Sequence, residues 1–214
     1  SGDFSPFGYV PRQSTVRGME ILGFGGAGIL VRSDDNLIQR NWIHGNAGDG
    51  VCIVDGNGNT VGNVLGDPPT QGNGNFIYSN GGNGVAVKKD VATMPPSGNG
   101  ILGNSMYSNM GLGVDLAADG VTSNKYPAGP SKPDVRPNAP VSVNYRQNFP
   151  TLFYASIADA APSRVEGALI NWQNTRFLVE VFRNDTVDQS GNGEGKTFLG
   201  SQWVETDAAG FAWF

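Results

Sequence analysis

Seven carboxylates in the first 120 residues are the side chains best suited to chemistry: Asp34, Asp35, Asp49, Asp55, Asp90, Asp115 and Asp119. Carboxylates converging on one face can hold calcium or act as acid and base on a glycosidic bond. Six of the seven also sit where an Asp makes a turn, because its side chain bonds to nearby backbone amides. Asp34 and Asp35 share one corner, Asp49 precedes a glycine, and Asp55 and Asp90 begin loops. Asp115 differs, since it falls inside the apolar run Val114-Asp-Leu116; with Asp119 and Asn124 it offers oxygen ligands to calcium, or else caps turn amides. His44 is the only histidine, which rules out a multi-histidine metal site, and its place between Ile43 and Gly45 reads as an outward corner. Cys52, flanked by Val51 and Ile53, is the only cysteine and reads as a small core residue. No serine has a paired histidine and acid in view, so no catalytic residue is assigned.

The elements that must position these groups announce themselves by a five-residue beat. Asparagine, any residue, an apolar residue, two more, then asparagine runs through Asn36, Ile38, Asn41, Ile43 and Asn46. It returns at Asn75, Ile77 and Asn80, and again at Asn99, Ile101, Asn104, Met106 and Asn109. This beat fits neither a helix nor a long alternating strand, but it fits a chain that turns a corner every few residues. Each stretch leads into a glycine and a short apolar run, at Gly28, Gly50, Gly84 and Gly113. These glycines are 22, 34 and 29 residues apart, one solenoid coil with insertions. Asparagine is expected at the corners because it tolerates the left-handed backbone and because its amide can bond an Asn one coil away. Trp42, Tyr78 and Tyr107 lie beside inward positions, where rings stack between coils or bind sugar.

The beat, with the segments Ala27 to Asn46, Gly50 to Asn63, Gly74 to Val87 and Gly98 to Asp119, resembles the right-handed parallel β-helix repeat proteins of the pectate-lyase-like superfamily. More narrowly, Leu112 to Asn124, Gln147-Asn-Phe-Pro150 and Gly191 to Gly200 resemble a group of bacterial secreted and surface proteins in which a β-sandwich module follows the helix. The resemblance implies an all-β chain: a short right-handed parallel β-helix of about four coils over 14–119, then a small, incomplete immunoglobulin-like β-sandwich over 148–214. Residues 120–147, with prolines at 127, 130, 133, 137 and 140, read as a linker, and residues 1–13 as an extended arm bearing Phe4, Phe7 and Tyr9. Five apolar strands are visible in the module, where an immunoglobulin-like sandwich needs about seven, so an edge is expected to stay open.

Composition narrows the function. Thirty-two glycines and 15% charged residues suit tight turns rather than helices. A net charge of −5 and a pI near 4.7 leave no basic surface for nucleic acid. No apolar run approaches the ~20 residues that insert in a membrane. The chain opens at Ser1-Gly-Asp-Phe-Ser-Pro with neither a methionine nor an apolar leader, which suits a processed, exported protein at the cell surface. The expectation is therefore a non-catalytic extracellular structural protein without a cofactor beyond calcium. Its partners would be copies of itself, joined head-to-tail into a filament through Phe4, Phe7, Tyr9, Trp213 and Phe214. The alternative is a polysaccharide-active enzyme or carbohydrate-binding module that uses the side face of the β-helix.

Overall fold

A computed structural model describes residues 14–66, 71–90, 94–124, 143–156, 163–187 and 190–214. Twelve short strands wind through 14–116: β1 (Thr15–Arg17), β2 (Glu20–Leu22), β3 (Ile29–Val31), β4 (Leu37–Gln39), β5 (Trp42–His44), β6 (Val51–Val54), β7 (Thr60–Gly62), β8 (Phe76–Tyr78), β9 (Val85–Lys88), β10 (Gly100–Leu102), β11 (Ser105–Tyr107) and β12 (Val114–Leu116). They pair only in parallel, as three four-stranded sheets ordered β1-β4-β7-β10, β2-β5-β8-β11 and β3-β6-β9-β12. Each sheet takes one strand per coil, so four coils stack in the manner of a parallel β-helix.

The register explains the beat. Ile21, Ile43, Ile77 and Met106 are successive partners in the second sheet, and Val16, Ile38, Val61 and Ile101 in the first. All point into one core, where Ile38, Ile43, Ile53 and Ile77 are sealed from solvent. Burial of each such side chain contributes about 1.5–3 kcal/mol.

Of the two reasons expected for asparagine at the corners, the structure shows the bonding between coils and not the left-handed backbone. None of the ladder asparagines takes the left-handed backbone; the residue before most of them does, at Asp35, Arg40, Gly45, Gly58, Ser79, Gly98, Gly103 and Ser108. The Asn side chain instead bonds from coil to coil. Asn75 Oδ1 accepts the amide N–H and the Nδ2 of Asn41, both at 3.0 Å, and Asn75 Nδ2 donates to Ile38 O and to Asn104 Oδ1. Parallel ladders run Asn36-Asn59-Asn99 and Asn46-Asn80-Asn109. Buried corners expose backbone groups that sheets cannot pair, and a primary amide, with two donors and an acceptor, satisfies them.

The ladders have defined ends. In the first coil, Ser14, Met19 and Phe24 stand where later coils have asparagine, and only their amides donate, to Asn36, Asn41 and Asn46. At the last coil, residues from beyond the solenoid close it. Asn144 Oδ1 accepts Asn99 N–H at 2.9 Å, and the Glu194 carboxylate accepts Asn109 N–H and Nδ2. Val143 joins the core and the turn Val143–Arg146 packs on β9 and β12, so the end of the proline-rich segment belongs to the solenoid.

After this turn come β13 (Thr151–Ser156), β14 (Arg164–Ile170), β15 (Arg176–Arg183), β16 (Thr197–Glu205) and β17 (Phe211–Trp213), close to the five expected strands. They form an antiparallel sheet β13-β14-β17 and a hairpin β15-β16 around Leu169, Val179, Val204 and Ala212. The hairpin seats on the last coil, where Gly103 N–H donates to Glu180 Oε2 at 2.9 Å, Met106 N–H to Gly195 O and Ser105 Oγ to Lys196 O.

Burial pushes the Glu180 carboxyl above the usual carboxylate range, against the Gly103 amide, which pulls it down. A raised acid favours the folded state below its unfolded value near 4.5 and loses that advantage as pH climbs through the raised value. The thermal midpoint of the parent chain should therefore fall across that window, and Glu180→Gln, which keeps the acceptor oxygen, should flatten that part of the profile. An unchanged profile in the variant would refute the assignment.

Candidate functional site

Two surfaces stand out. The first is the edge of the module. Strand β13 pairs with β14 on one side only, and no hydrogen bond joins its other edge to any described residue. Its six residues carry no charge, and Leu152, Phe153 and Tyr154 are 55%, 60% and 51% exposed. Trp213, 72% exposed, touches Phe153 at a ring separation of 5.7 Å, and Phe211, two residues before it on β17, shares its face. A register shift between Leu152 and Tyr154 is the strand's only irregularity. Soluble sheets normally guard such an edge with lysine, proline or a covering loop. Of the residues expected here, Trp213 is in the patch, while Phe214 packs against the module core and its backbone pairs with Gly167. Phe4, Phe7 and Tyr9 lie outside the described residues.

The second surface is the outer face of the middle sheet. Alternation in three-residue strands turns two side chains outward per strand, so coil stacking builds two rows. Glu20, Trp42, Phe76 and Ser105 form one; Leu22, His44, Tyr78 and Tyr107 form the other. The His44, Tyr78 and Tyr107 rings stack at 4.6 and 4.9 Å, nearly parallel, and Lys196 caps the stack 5.0 Å above Tyr107. His44 is thus half-buried rather than a solvated corner, and its Nε2 lies 3.1 Å from Glu20 Oε1. Trp42, 52% exposed, meets Phe76 edge to face. The side-by-side spacing of Tyr78 and Tyr107 was readable in the sequence. The place of His44 in the stack was not, because it follows from the coil register.

The carboxylates mostly serve corners. Asp34 Oδ1 accepts Asn57 N–H at 2.7 Å, Asp49 Oδ1 accepts Asn83 N–H at 2.8 Å, and Asp55 Oδ1 accepts Asp90 N–H at 2.8 Å. Asp49 Oδ2 lies 3.0 Å from Lys88 Nζ, and Asp90 pairs loosely with Arg32. Among the described residues no group of three or more histidines, cysteines and acids is placed to hold a metal ion. Asp115 is buried; its Oδ2 accepts Gly120 N–H at 3.1 Å and its Oδ1 has no partner. Burial pushes the Asp115 carboxyl up, while the Gly120 amide opposes the shift. Asp119 accepts the Thr122 hydroxyl, and Asn124 exchanges two bonds with the Phe149 backbone, so the three suggested calcium ligands each have separate partners. Cys52 is buried, and burial pushes its thiol up.

Sequence patterns had not singled out Glu194 or Glu180, and had marked Asn184 only as the start of a glycosylation sequon. Asn184, first residue of a glycosylation sequon, spends its Oδ1 on the amides of Gly195 and Lys196 and so shapes the loop that closes the last coil. Beside that loop lies a cleft of 380 Å3 lined by Tyr107, Met110, Asp185, Glu194 and Lys196. No family model and no curated protein matches the chain.

Proposed function

We propose that the chain is a non-catalytic extracellular structural protein that assembles head-to-tail with copies of itself into a filament. In this reading the solenoid is a right-handed β-helix related to the pectate-lyase-like superfamily, and the module is an immunoglobulin-like sandwich short of strands. The observation that carries it is the uncharged β13 edge with its exposed aromatic patch. Such an edge gains main-chain hydrogen bonds and buries apolar surface when another strand is added. Heterologous contacts between opposite ends of like molecules propagate without closing. The test is multi-angle light scattering with negative-stain microscopy. The parent chain should form fibres, whereas Phe153→Lys, which places a charge in the patch, should reduce the mass to that of one chain with an unchanged circular dichroism spectrum. A parent chain that stays monomeric at high concentration would dismiss the reading.

A second reading, a carbohydrate-binding module or polysaccharide-active enzyme, is favoured by the exposed Trp42 and Phe76 beside Glu20 and His44. Aromatic faces flanked by polar groups bind sugar rings. It predicts retention on acidic glycans that Trp42→Ala weakens at least tenfold, and, for an enzyme, release of unsaturated or reducing sugar.

A further inference from the structure

We propose that the missing neighbour of β13 is a segment of a second copy, residues 7–10. The proposal rests on the assembly reading above and names the partner strand. Leu152, Phe153 and Tyr154 are more than half exposed, and among the described residues none pairs with the free edge of β13. That edge is open to a strand from a second molecule.

The donor is chosen by its chemistry. Residues 7–10 read Phe-Gly-Tyr-Val, uncharged like β13, with Pro6 and Pro11 on either side. Proline lacks the amide donor, so pairing is confined to the four residues between. Paired as a strand, these four would set Phe7 and Tyr9 on one face and Gly8 and Val10 on the other. Phe7 and Tyr9 then complement the Phe153 and Trp213 patch, while the small Gly8 and the aliphatic Val10 face the Leu169 side.

The topology directs this strand to another molecule. Ser14 leads directly into the first coil, whereas the module seats on the fourth through Glu180, Glu194 and Gly195. Ser14 and the acceptor thus lie at opposite ends of the stack. Residues 10 and 14 stand at most about 14 Å apart, so the donor's first coil must abut the module that it enters. Repetition of this contact gives a filament in which each molecule is donor and acceptor once.

The experiment compares four proteins by light scattering: the parent chain, a chain lacking residues 1–13, Gly8→Pro and Phe153→Lys. Gly8→Pro keeps the apolar arm but removes an amide donor, and it leaves the coils untouched. All three altered proteins should have the mass of one chain, and a peptide of residues 1–13 added to the parent should shorten its fibres. In addition, Val10→Cys combined with Leu152→Cys should give a ladder of disulfide-linked oligomers under oxidising conditions. Fibres that persist without residues 1–13 and in Gly8→Pro, yet vanish in Phe153→Lys, would overturn the arm as donor and leave the open edge standing. Fibres indifferent to Phe153→Lys, or a monomeric parent, would overturn the assembly reading as well.

Discussion

Replacing Asn75 with alanine should unfold the coiled half of the protein under conditions in which the parent is native. Asn75 is fully buried, and its side chain makes four hydrogen bonds to three neighbours. Truncation leaves Asn41 N–H, Asn41 Nδ2 and Ile38 O without their Asn75 partner in a site too enclosed for water. Each buried group stranded in this way costs about 1–3 kcal/mol, so the three together cost about 3–9 kcal/mol. Domains have about 5–15 kcal/mol in all, and the coils are coupled because each satisfies the next. Asn57 provides the contrast: its side chain also bridges coils, donating from Nδ2 to Asp34 and accepting Ser97 N–H, but it is exposed, so water replaces its lost bonds. Urea denaturation of Asn75→Ala and Asn57→Ala should differ by several kcal/mol. Equal midpoints would show that the buried ladder is not what holds the corners.

The second large effect is expected at Gly62, the last residue of β7. Its φ is +98°, a backbone conformation that L side chains avoid, and an added methyl would overlap the carbonyl oxygen of Leu102 and press on the Asn104 side chain. The Leu102 carbonyl is fixed by the Asn63 N–H at 2.9 Å, so it cannot step aside without parting two coils. Positive-φ strain of about 1–3 kcal/mol then adds to overpacking of about 1–3 kcal/mol. Gly66 isolates the first of these, since it has φ +102° with nothing near a would-be methyl. Gly62→Ala should therefore lower the melting temperature well beyond Gly66→Ala. Similar losses in the two variants would mean that the coils yield at this contact and that only the backbone angle matters.

Much of the solenoid was legible in the residues. The recurrence of Ile38, Ile43, Ile77, Ile101 and Met106 at fixed distances from asparagines gave the inward positions, because every coil repeats the same corner geometry. The five strands of the module were also visible, since alternation in segments such as Phe177 to Phe182 is a local property. The role of the asparagines was half read. Their bonding between coils was anticipated, but the left-handed backbone belongs to the preceding residue, as at Ser79 and Ser108, and a pattern of residue types does not report which of two neighbours bends.

The candidate site was less legible. Trp213 was anticipated as exposed, and the aromatic spacing of Tyr78 and Tyr107 was seen, but the contact of Phe153 with Trp213 depends on how β13, β14 and β17 lie side by side. His44 joined its stack only through register with Tyr78.

The sequence by itself determined the coil, because a repeating pattern makes each residue's neighbours along the stack the residues one period away. Only the tertiary structure decided where the stack ends and which edge stays open. Glu194 closes the ladder of Asn109 across 85 residues, and Asn144 that of Asn99 across 45. Such contacts have no period to betray them: they arise because buried amide donors of the last coil need acceptors, and chain folding, not spacing, determines which side chain arrives to supply them.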